Sequence, residues 1–218
     1  MGRGKLIVVS GFSGAGKGSI MRELLKNHDN YVLSISMTTR APREGEVHGR
    51  EYFFVERAAF EEAIAQNGLL EHAEYIGHLY GTPRAYVEEQ LREGKNVMLE
   101  IDVQGGMQIR EKFPDSMLLF VVPPSAKVLK ERLLGRNTEN IEQVKRRLLR
   151  ALDEAPYMEA YDYIVVNDDL EACVEEVHAV ISGEKAIPEK DPAFIERFRD
   201  DLQKMLQKEG LLHLPTEE

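Results

Sequence analysis

The chain has 218 residues, enough for one substantial hydrophobic core but too few for two full domains of usual size. Its 38 acidic residues outnumber its 28 basic ones, and the net charge of −10 argues against general binding of nucleic acid or a membrane surface. The single cysteine, Cys173, excludes an intramolecular disulfide framework. No signal peptide and no apolar run of membrane-spanning length is visible, so we expect a cytoplasmic protein.

Taken in order, strand-like apolar runs alternate with amphipathic helical runs, which predicts an α/β fold with a parallel sheet covered by helices on both faces. The expected core strands are 6–9, 31–36, 96–102, 117–122 and 162–166. Short strands at 52–55 and 69–82, with a helix at 58–65, interrupt this alternation. We therefore expect a core of 1–36, 85–134 and 151–183, an inserted mixed lobe of 37–84, a helical lid of 135–150 and a helical tail of 184–218.

The first strand leads into a glycine-rich stretch of nine residues, Gly11-Phe12-Ser13-Gly14-Ala15-Gly16-Lys17-Gly18-Ser19. It fits the phosphate-binding pattern G-x-x-x-x-G-K between a strand and a helix. Glycines let the main-chain N–H groups point inward, the helix N-terminus adds partial positive charge, and Lys17 supplies a full charge. A flexible turn is the plain alternative. The candidate phosphate-binding residues are Gly11, Ser13, Gly14, Ala15, Gly16, Lys17, Gly18 and Ser19.

One residue departs from this pattern. Ser or Thr usually follows the lysine and binds Mg²⁺, but here Gly18 stands in that place and Ser19 comes one residue later. Since Mg²⁺ readily keeps several waters, a water-mediated contact would serve. We interpret the departure as a subtype of the loop.

A second anchor lies in the predicted lobe, where Arg40 and Arg43 are flanked by hydroxyl residues and followed by Tyr52. Guanidinium groups match phosphate oxygens in pairs, so this stretch predicts a second phosphate site. The alternative is a solvated loop with surface charges.

At this point the sequence resembles the guanylate kinase family, over about residues 5–183. The resemblance rests on the glycine loop, on S-x-S-x-T-T-R-x-P-R-x-G-E at 34–46, and on shorter motifs that occur in order. These are Leu-Glu at 70–71, Tyr-Gly-Thr at 80–82, Ile-Asp-Val-Gln-Gly at 101–105, Pro-Pro-Ser to Arg-Leu-x-Gly-Arg at 123–136, and Val-Asn-Asp-Asp at 166–169.

The resemblance implies a P-loop kinase fold and ATP-dependent phosphorylation of GMP to GDP, with Mg²⁺. Residues matching Arg40, Arg43, Tyr52 and Tyr80 would hold the GMP phosphate, and those matching Ser36, Glu71, Thr82 and Asp102 would read guanine. The chemistry agrees, since a carboxylate can accept both the N1–H and the N2 amino group of guanine, while adenine lacks a donor at N1. Glu71 as an ordinary strand residue on a solvent face is the alternative.

Phosphoryl transfer requires cations at the transferring phosphate. The resemblance assigns Arg132, Arg136 and Arg147 to that role beside Lys17, in a lid expected to close over ATP. For Arg146 and Arg150 we prefer a solvated basic face paired with Glu139 and Glu142. Glu100 is a candidate for the Mg²⁺ water shell. Asn167 matches a family segment near adenine, with a strand-to-helix turn capped by Asp169 as the alternative.

Two other functions remain open at this stage. A non-catalytic guanylate-kinase-like module that binds proteins need not keep Lys17 or the lid arginines, which this chain has. A kinase for another acceptor, such as AMP or a phosphorylated sugar, would differ in the role of Glu71. The tail carries an apolar helical stripe, at Phe194, Phe198, Leu202, Met205 and Leu206. That stripe either packs on the same chain or pairs two subunits into a homodimer.

Overall fold

A computed structural model describes residues 3–75, 77–135 and 141–212. Nine strands and eight helices occur in these ranges, with a 3-10 helix at Ala155–Ala160. The strands are β1 Leu6–Gly11, β2 Tyr31–Leu33, β3 Met37–Thr38, β4 Phe53–Phe54, β5 Leu69–Tyr75, β6 His78–Pro83, β7 Asn96–Glu100, β8 Met117–Val122 and β9 Tyr163–Val166. The helices are α1 Lys17–Asn27, α2 Arg57–Ala65, α3 Arg84–Arg92, α4 Val103–Lys112, α5 Ala126–Leu134, α6 Ile141–Glu154, α7 Leu170–Ser182 and α8 Pro192–Lys208.

The large sheet has five strands in the order β2-β7-β1-β8-β9, which confirms the predicted five-stranded parallel core. β1 and β2 both run parallel to β7, and β8 runs parallel to β9. β1, β7 and β8 are almost continuously buried, as expected for parallel strands with helices on both faces. In such sheets, ligands bind beyond the carboxyl ends of the strands.

The chain divides into two compact units, and the first comprises residues 1–9 and 21–118. It contains the region predicted as an inserted lobe, in which a second sheet has the order β4-β3-β6-β5. Phe60 of α2 is fully buried and packs with Leu69 and Leu79 in a small separate core. This lobe therefore has its own hydrophobic centre, although its strand β4 is shorter than the sequence predicts, as is β2 of the large sheet.

The second unit comprises residues 10–20 and 119–218. It contains the glycine loop, the helices α5 to α8, and β9. The helix α8 packs its apolar face inside this unit, with Ile195, Phe198, Leu202 and Leu206 buried. The predicted stripe is therefore covered by the same chain, with Ile195 added and with Phe194 and Met205 only half-buried.

Two of the helix starts follow from local sequence. The hydroxyl of Ser125 accepts a hydrogen bond from the Val128 N–H at the start of α5. Asp169 accepts from the Ala172 N–H in the same way at α7. Within the described ranges, no helix is long and apolar enough to cross a bilayer.

Candidate active site

The glycine loop takes the conformation that its sequence predicts. Gly11, Gly14 and Gly16 have φ of 137°, 89° and 97°, a region that side chains disfavour. A Cβ on Gly16 would lie 2.2 Å from the side-chain nitrogen of Asn167, and one on Gly11 would lie 2.1 Å from the carbonyl oxygen of Val121. Both glycines are therefore required for the backbone path and for close packing.

Lys17 begins α1 and folds back over the loop. Its Nζ donates to the carbonyl oxygens of Gly11 at 2.8 Å and Phe12 at 3.2 Å. Ala15 is buried, and its N–H donates to the Phe12 carbonyl. The ammonium group is thus held against the main chain that would surround a phosphate.

The other two loop positions after Lys17 are more open. Gly18 is exposed, and no atom lies within 4 Å of where its Cβ would stand. The N–H of Ser19 donates to the Gly16 carbonyl, as in the first turn of a helix. The missing hydroxyl at Gly18 is therefore not explained by a lack of room.

Two predicted arginines reach this loop inside the second unit. The Nη2 of Arg132 donates to the carbonyl of Asn167 at 2.9 Å, and its Nη1 to that of Ala15 at 3.4 Å. The Nη1 of Arg147 donates to the hydroxyl of Ser13. The structure thus brings these cations together with the glycine loop, whereas Arg136 lies outside the described residues.

Asn167 joins the same cluster from the end of β9. Its side-chain amide donates to the Ala15 carbonyl at 2.8 Å, and its own N–H donates to the Val122 carbonyl. The side chain is buried and touches the place that a Gly16 side chain would fill. Asn167 therefore supports the loop, and the adenine role suggested by the resemblance stays a prediction.

Of the two remaining arginines of the predicted lid, one is exposed as predicted and the other pairs differently from the prediction. Arg146 is exposed, and Arg150 donates to Glu154 at 2.7 Å. Glu142, the expected partner, instead pairs with Lys145. The reason is helical spacing, because Arg150 and Glu154 are four residues apart on one face of α6. Glu139 lies outside the described residues.

In the first unit, Arg40 lies in a cage of aromatic rings and one carboxylate. Its guanidinium carbon is 5.4 Å from the centre of the Tyr52 ring and 5.7 Å from that of Phe54. Both carboxylate oxygens of Glu46 lie 2.9 Å from its Nη2. Cation–π contact and the charge pair together fix the position of this guanidinium group.

The other predicted phosphate ligands surround this cage. Tyr80 packs on Tyr52 with ring centres 6.0 Å apart. Arg43 is exposed, and its main-chain N–H donates to the Glu46 carboxylate at 2.8 Å. This bond is the first cause that lowers the pKa of Glu46, and the charge of Arg40 adds to it against partial burial. Glu46 is therefore anionic and holds both Arg40 and the main chain of Arg43. The sequence did not reveal this role, although Glu46 stands within the quoted motif.

Glu71 is a buried carboxyl group and not a solvent-facing strand residue, which removes that alternative. It is 4% exposed, and its Oε1 accepts a hydrogen bond of 2.6 Å from the hydroxyl of Thr82. Burial raises its pKa to about 7, with the Thr82 hydrogen bond opposing the shift and the charge of Asp102 adding to it.

The strand before Asp102 ends earlier than predicted. β7 stops at Glu100, and Asp102 caps α4 by accepting a hydrogen bond of 3.0 Å from the Gly105 N–H. Predicting a strand through Asp102 was therefore wrong, because the chain leaves the sheet there to begin α4 at Val103, with Asp102 as its N-cap. Ser36, also predicted to read guanine, is half-buried, and its carbonyl accepts from the Phe53 N–H.

Glu100 is exposed at the end of β7, where it lies opposite Val9 of β1. Within the described ranges, no three His, Cys, Asp or Glu side chains group together as a metal site. An all-protein cage for a cation is thus not present in that part of the chain.

The sequence model of the guanylate kinase family matches residues 3–184. The chain belongs to the guanylate kinase family. It is 47% identical to the guanylate kinase of Bacillus cereus strain ZK / E33L over 201 residues, which cover 92% of this chain and 98% of the relative.

Two further guanylate kinases extend the comparison. That of Clostridium tetani is 42% identical over 213 residues, covering 98% of both chains. The crystal structure of guanylate kinase from Anaplasma phagocytophilum superposes with a TM-score of 0.68 at 29% identity, covering 98% of both chains. The resemblance drawn from the motifs is thereby confirmed, and a non-catalytic module is not favoured. The helix α8 lies beyond the residues that the family model matches.

Proposed function

We propose that this guanylate kinase transfers the γ-phosphoryl group of ATP to GMP with the residues described above. The observation that carries the proposal is the buried carboxyl group of Glu71, which lies in the same small lobe as the caged cation Arg40. One group suits the paired N–H donors of guanine, and the other suits a monophosphate. A guanine base and a monophosphate are the two ends of a single acceptor, GMP.

The donor is ATP, bound at the loop of residues 11–19. The positive-φ glycines turn main-chain N–H groups toward the phosphates, and Lys17 moves from the loop carbonyls to the β- and γ-oxygens. Arg132 and Arg147, already hydrogen-bonded to this loop, neutralise charge that builds up during transfer. Arg136 would add to them, as the resemblance implies.

The acceptor phosphate binds to Arg40 and Arg43, with Tyr52 and Tyr80 beside it. Guanine contacts Glu71, with Thr82, Ser36 and Asp102 as further ligands. The Thr82 hydroxyl is a fixed donor to one carboxylate oxygen, so the carboxylate orientation is set before GMP arrives. Preorganisation of this kind lowers the entropic cost of binding.

The residues present fit a divalent cation held through water. Glu100 offers an exposed carboxylate at the end of β7. Mg²⁺ prefers oxygen ligands and retains waters, and it would arrive with ATP and neutralise phosphate charge. Glu100 would then hold waters of the metal. A location in the cytoplasm stays a prediction from the sequence. A homodimer stays one too, but the stripe of α8 would not form its interface, because that stripe is buried within this chain.

A single assay tests the proposal. ADP release is measured with ATP and each of GMP, AMP, CMP and UMP. We expect turnover with GMP to exceed that with the other three by at least about 100-fold, because a wrong base leaves a buried carboxyl group unpaired. Equal turnover with AMP would contradict the role of Glu71 in reading guanine. A complete lack of turnover with all four nucleotides would contradict the kinase activity itself.

Two variants separate the sites. Lys17→Ala should abolish turnover while circular dichroism shows an intact fold. Glu71→Gln should raise the KM for GMP by about 100-fold and leave the KM for ATP near its original value. If Glu71→Gln behaved like the unmodified enzyme, guanine would have to bind elsewhere.

A further inference from the structure

The strand that presents Glu71 is irregular at that residue. β5 pairs with β6 through Leu69 opposite Pro83 and His72 opposite Gly81, so two residues of β5 face the single residue Thr82. This is a β-bulge, which bends a strand and redirects a side chain. A bulge also interrupts the ladder of hydrogen bonds, and β5 is the last strand of its sheet.

The outer edge of β5 is completed by a side chain of α4 instead of a further strand. The Oε1 of Gln108 accepts a hydrogen bond of 3.2 Å from the His72 N–H, and its Nε2 donates to the His72 carbonyl at 2.8 Å. A carboxamide has the same donor and acceptor as a peptide group, so Gln108 occupies the place of one rung of a neighbouring strand.

Two other residues of the same helix face lie against the two bulged residues, Leu70 and Glu71, which directly precede this rung. The Nζ of Lys112 donates to the Leu70 carbonyl at 3.1 Å. Gly105 is buried, and a Cβ added there would lie 2.7 Å from the Oε2 of Glu71. Residues 105, 108 and 112 are three and four apart, so they share one face of α4.

We propose that Gln108 is a positioning residue for guanine recognition, because it fixes the bulge of β5 and so holds the Glu71 carboxylate in place. Gly105 completes this arrangement by leaving room for the carboxylate. The inference rests on the proposed role of Glu71 and adds to it the group that sets its position.

The test compares Gln108→Met with the unmodified protein. Methionine keeps the length of the side chain and removes both hydrogen bonds. We expect the KM for GMP to rise about tenfold, since small misplacements of a binding group cost one to two orders of magnitude. The KM for ATP should stay within about twofold, because the ATP-binding loop makes none of these contacts.

Inosine monophosphate supplies a second measure. It keeps the N1–H of guanine but lacks the N2 amino group, so the GMP to IMP ratio of kcat/KM reports how well Glu71 is aligned. This ratio should fall about tenfold in Gln108→Met, a change that a general loss of stability would not produce. Gln66→Met is the matched control, because this exposed glutamine at the end of α2 bonds to Glu62 and should leave both values unchanged.

Gly105→Ala provides an independent variant in case Gln108→Met folds poorly. Alanine favours a helix, but its methyl group must displace the Glu71 carboxylate. We expect the same increase in KM for GMP and the same fall in the GMP to IMP ratio of kcat/KM. If both variants kept the original ratio, or raised the KM for ATP equally, the positioning role would be wrong. Failure of the Glu71 assignment itself would be visible separately, as an unaltered Glu71→Gln enzyme.

Discussion

Arg40 and Glu46 form a charge pair in which both carboxylate oxygens lie 2.9 Å from one guanidinium nitrogen. The two side chains are only 12% and 17% exposed, so this pair is less screened than an ordinary surface pair. Glu46 also accepts a hydrogen bond from the main-chain N–H of Arg43, so one carboxylate contacts both of these proposed phosphate ligands.

Removing Glu46 should therefore weaken GMP binding and not strengthen it. In Glu46→Ala, Arg40 loses the group that holds it across the rings of Tyr52 and Phe54, and we expect the KM for GMP to rise about tenfold. Glu61→Ala is the control, because Glu61 forms an exposed pair with Arg57 on α2 and should have no effect. A lower KM in Glu46→Ala would mean that Glu46 competes with phosphate for Arg40.

The raised pKa of Glu71 predicts a specific dependence of GMP binding on pH. With a pKa of about 7 in the free protein, the carboxyl group is largely protonated below pH 6 and ionised above pH 8. In the proposed role, ionised Glu71 accepts the guanine donors, so affinity for GMP should rise between these values and then level off. Titration calorimetry from pH 5.5 to 8.5 measures this.

The control for that experiment is Glu71→Gln. In this variant the pH dependence of GMP affinity that remains comes from other groups, such as the GMP phosphate, which ionises near pH 6. The difference between the two profiles isolates Glu71. An identical slope in both proteins would show that Glu71 does not titrate on binding.

The same pKa shift has a consequence for stability. A carboxyl group whose pKa is raised on folding holds its proton longer in the native state, so the free energy of unfolding falls as pH rises from about 4.5 to 7 and is then constant. Glu71→Gln removes this loss and should be more stable than the unmodified protein at pH 8, by at most about 3 kcal/mol. Urea unfolding at pH 5 and pH 8 checks the sign.

Two glycines of the phosphate loop should respond differently to alanine. Gly16 has φ of 97° and would meet Asn167 at 2.2 Å, so Gly16→Ala must distort the loop, and we expect at least about a 100-fold loss of kcat/KM for ATP. Gly18→Ala meets no atom within 4 Å and lies in the first turn of α1, so its thermal midpoint should be equal or higher. Thermal unfolding and steady-state kinetics together test both.

The helix α8 should contribute to stability through the phosphate loop. Phe198 stacks on the buried Phe12 of that loop, with ring centres 5.2 Å apart and planes within 12°. Phe198→Ala should cost about 3–4 kcal/mol, as for a fully buried aromatic ring. Phe194→Ala, which is half-buried on the same helix, should cost clearly less, and chemical denaturation of both compares them directly. Equal costs would show that stacking on Phe12 adds nothing.

The sequence by itself determined the features that depend on neighbouring residues. The glycine loop, the helix starts at Ser125 and Asp169, and the stripe of α8 are all encoded within a few turns of chain, because φ preferences and helical periodicity are local properties. The family motifs, also local, identified the enzyme class. Even so, local patterns missed the end of β7, where the capping role of Asp102 overrode the apolar run.

Only the tertiary structure decided the contacts between residues far apart in the chain. The pairing of Gln108 with His72 spans 36 residues, and that of Arg132 with Asn167 spans 35. The burial that raises the pKa of Glu71 likewise depends on how β5 packs against α4. No local pattern encodes these relationships, because a side chain's partner depends on which backbone groups the folded strands leave unpaired.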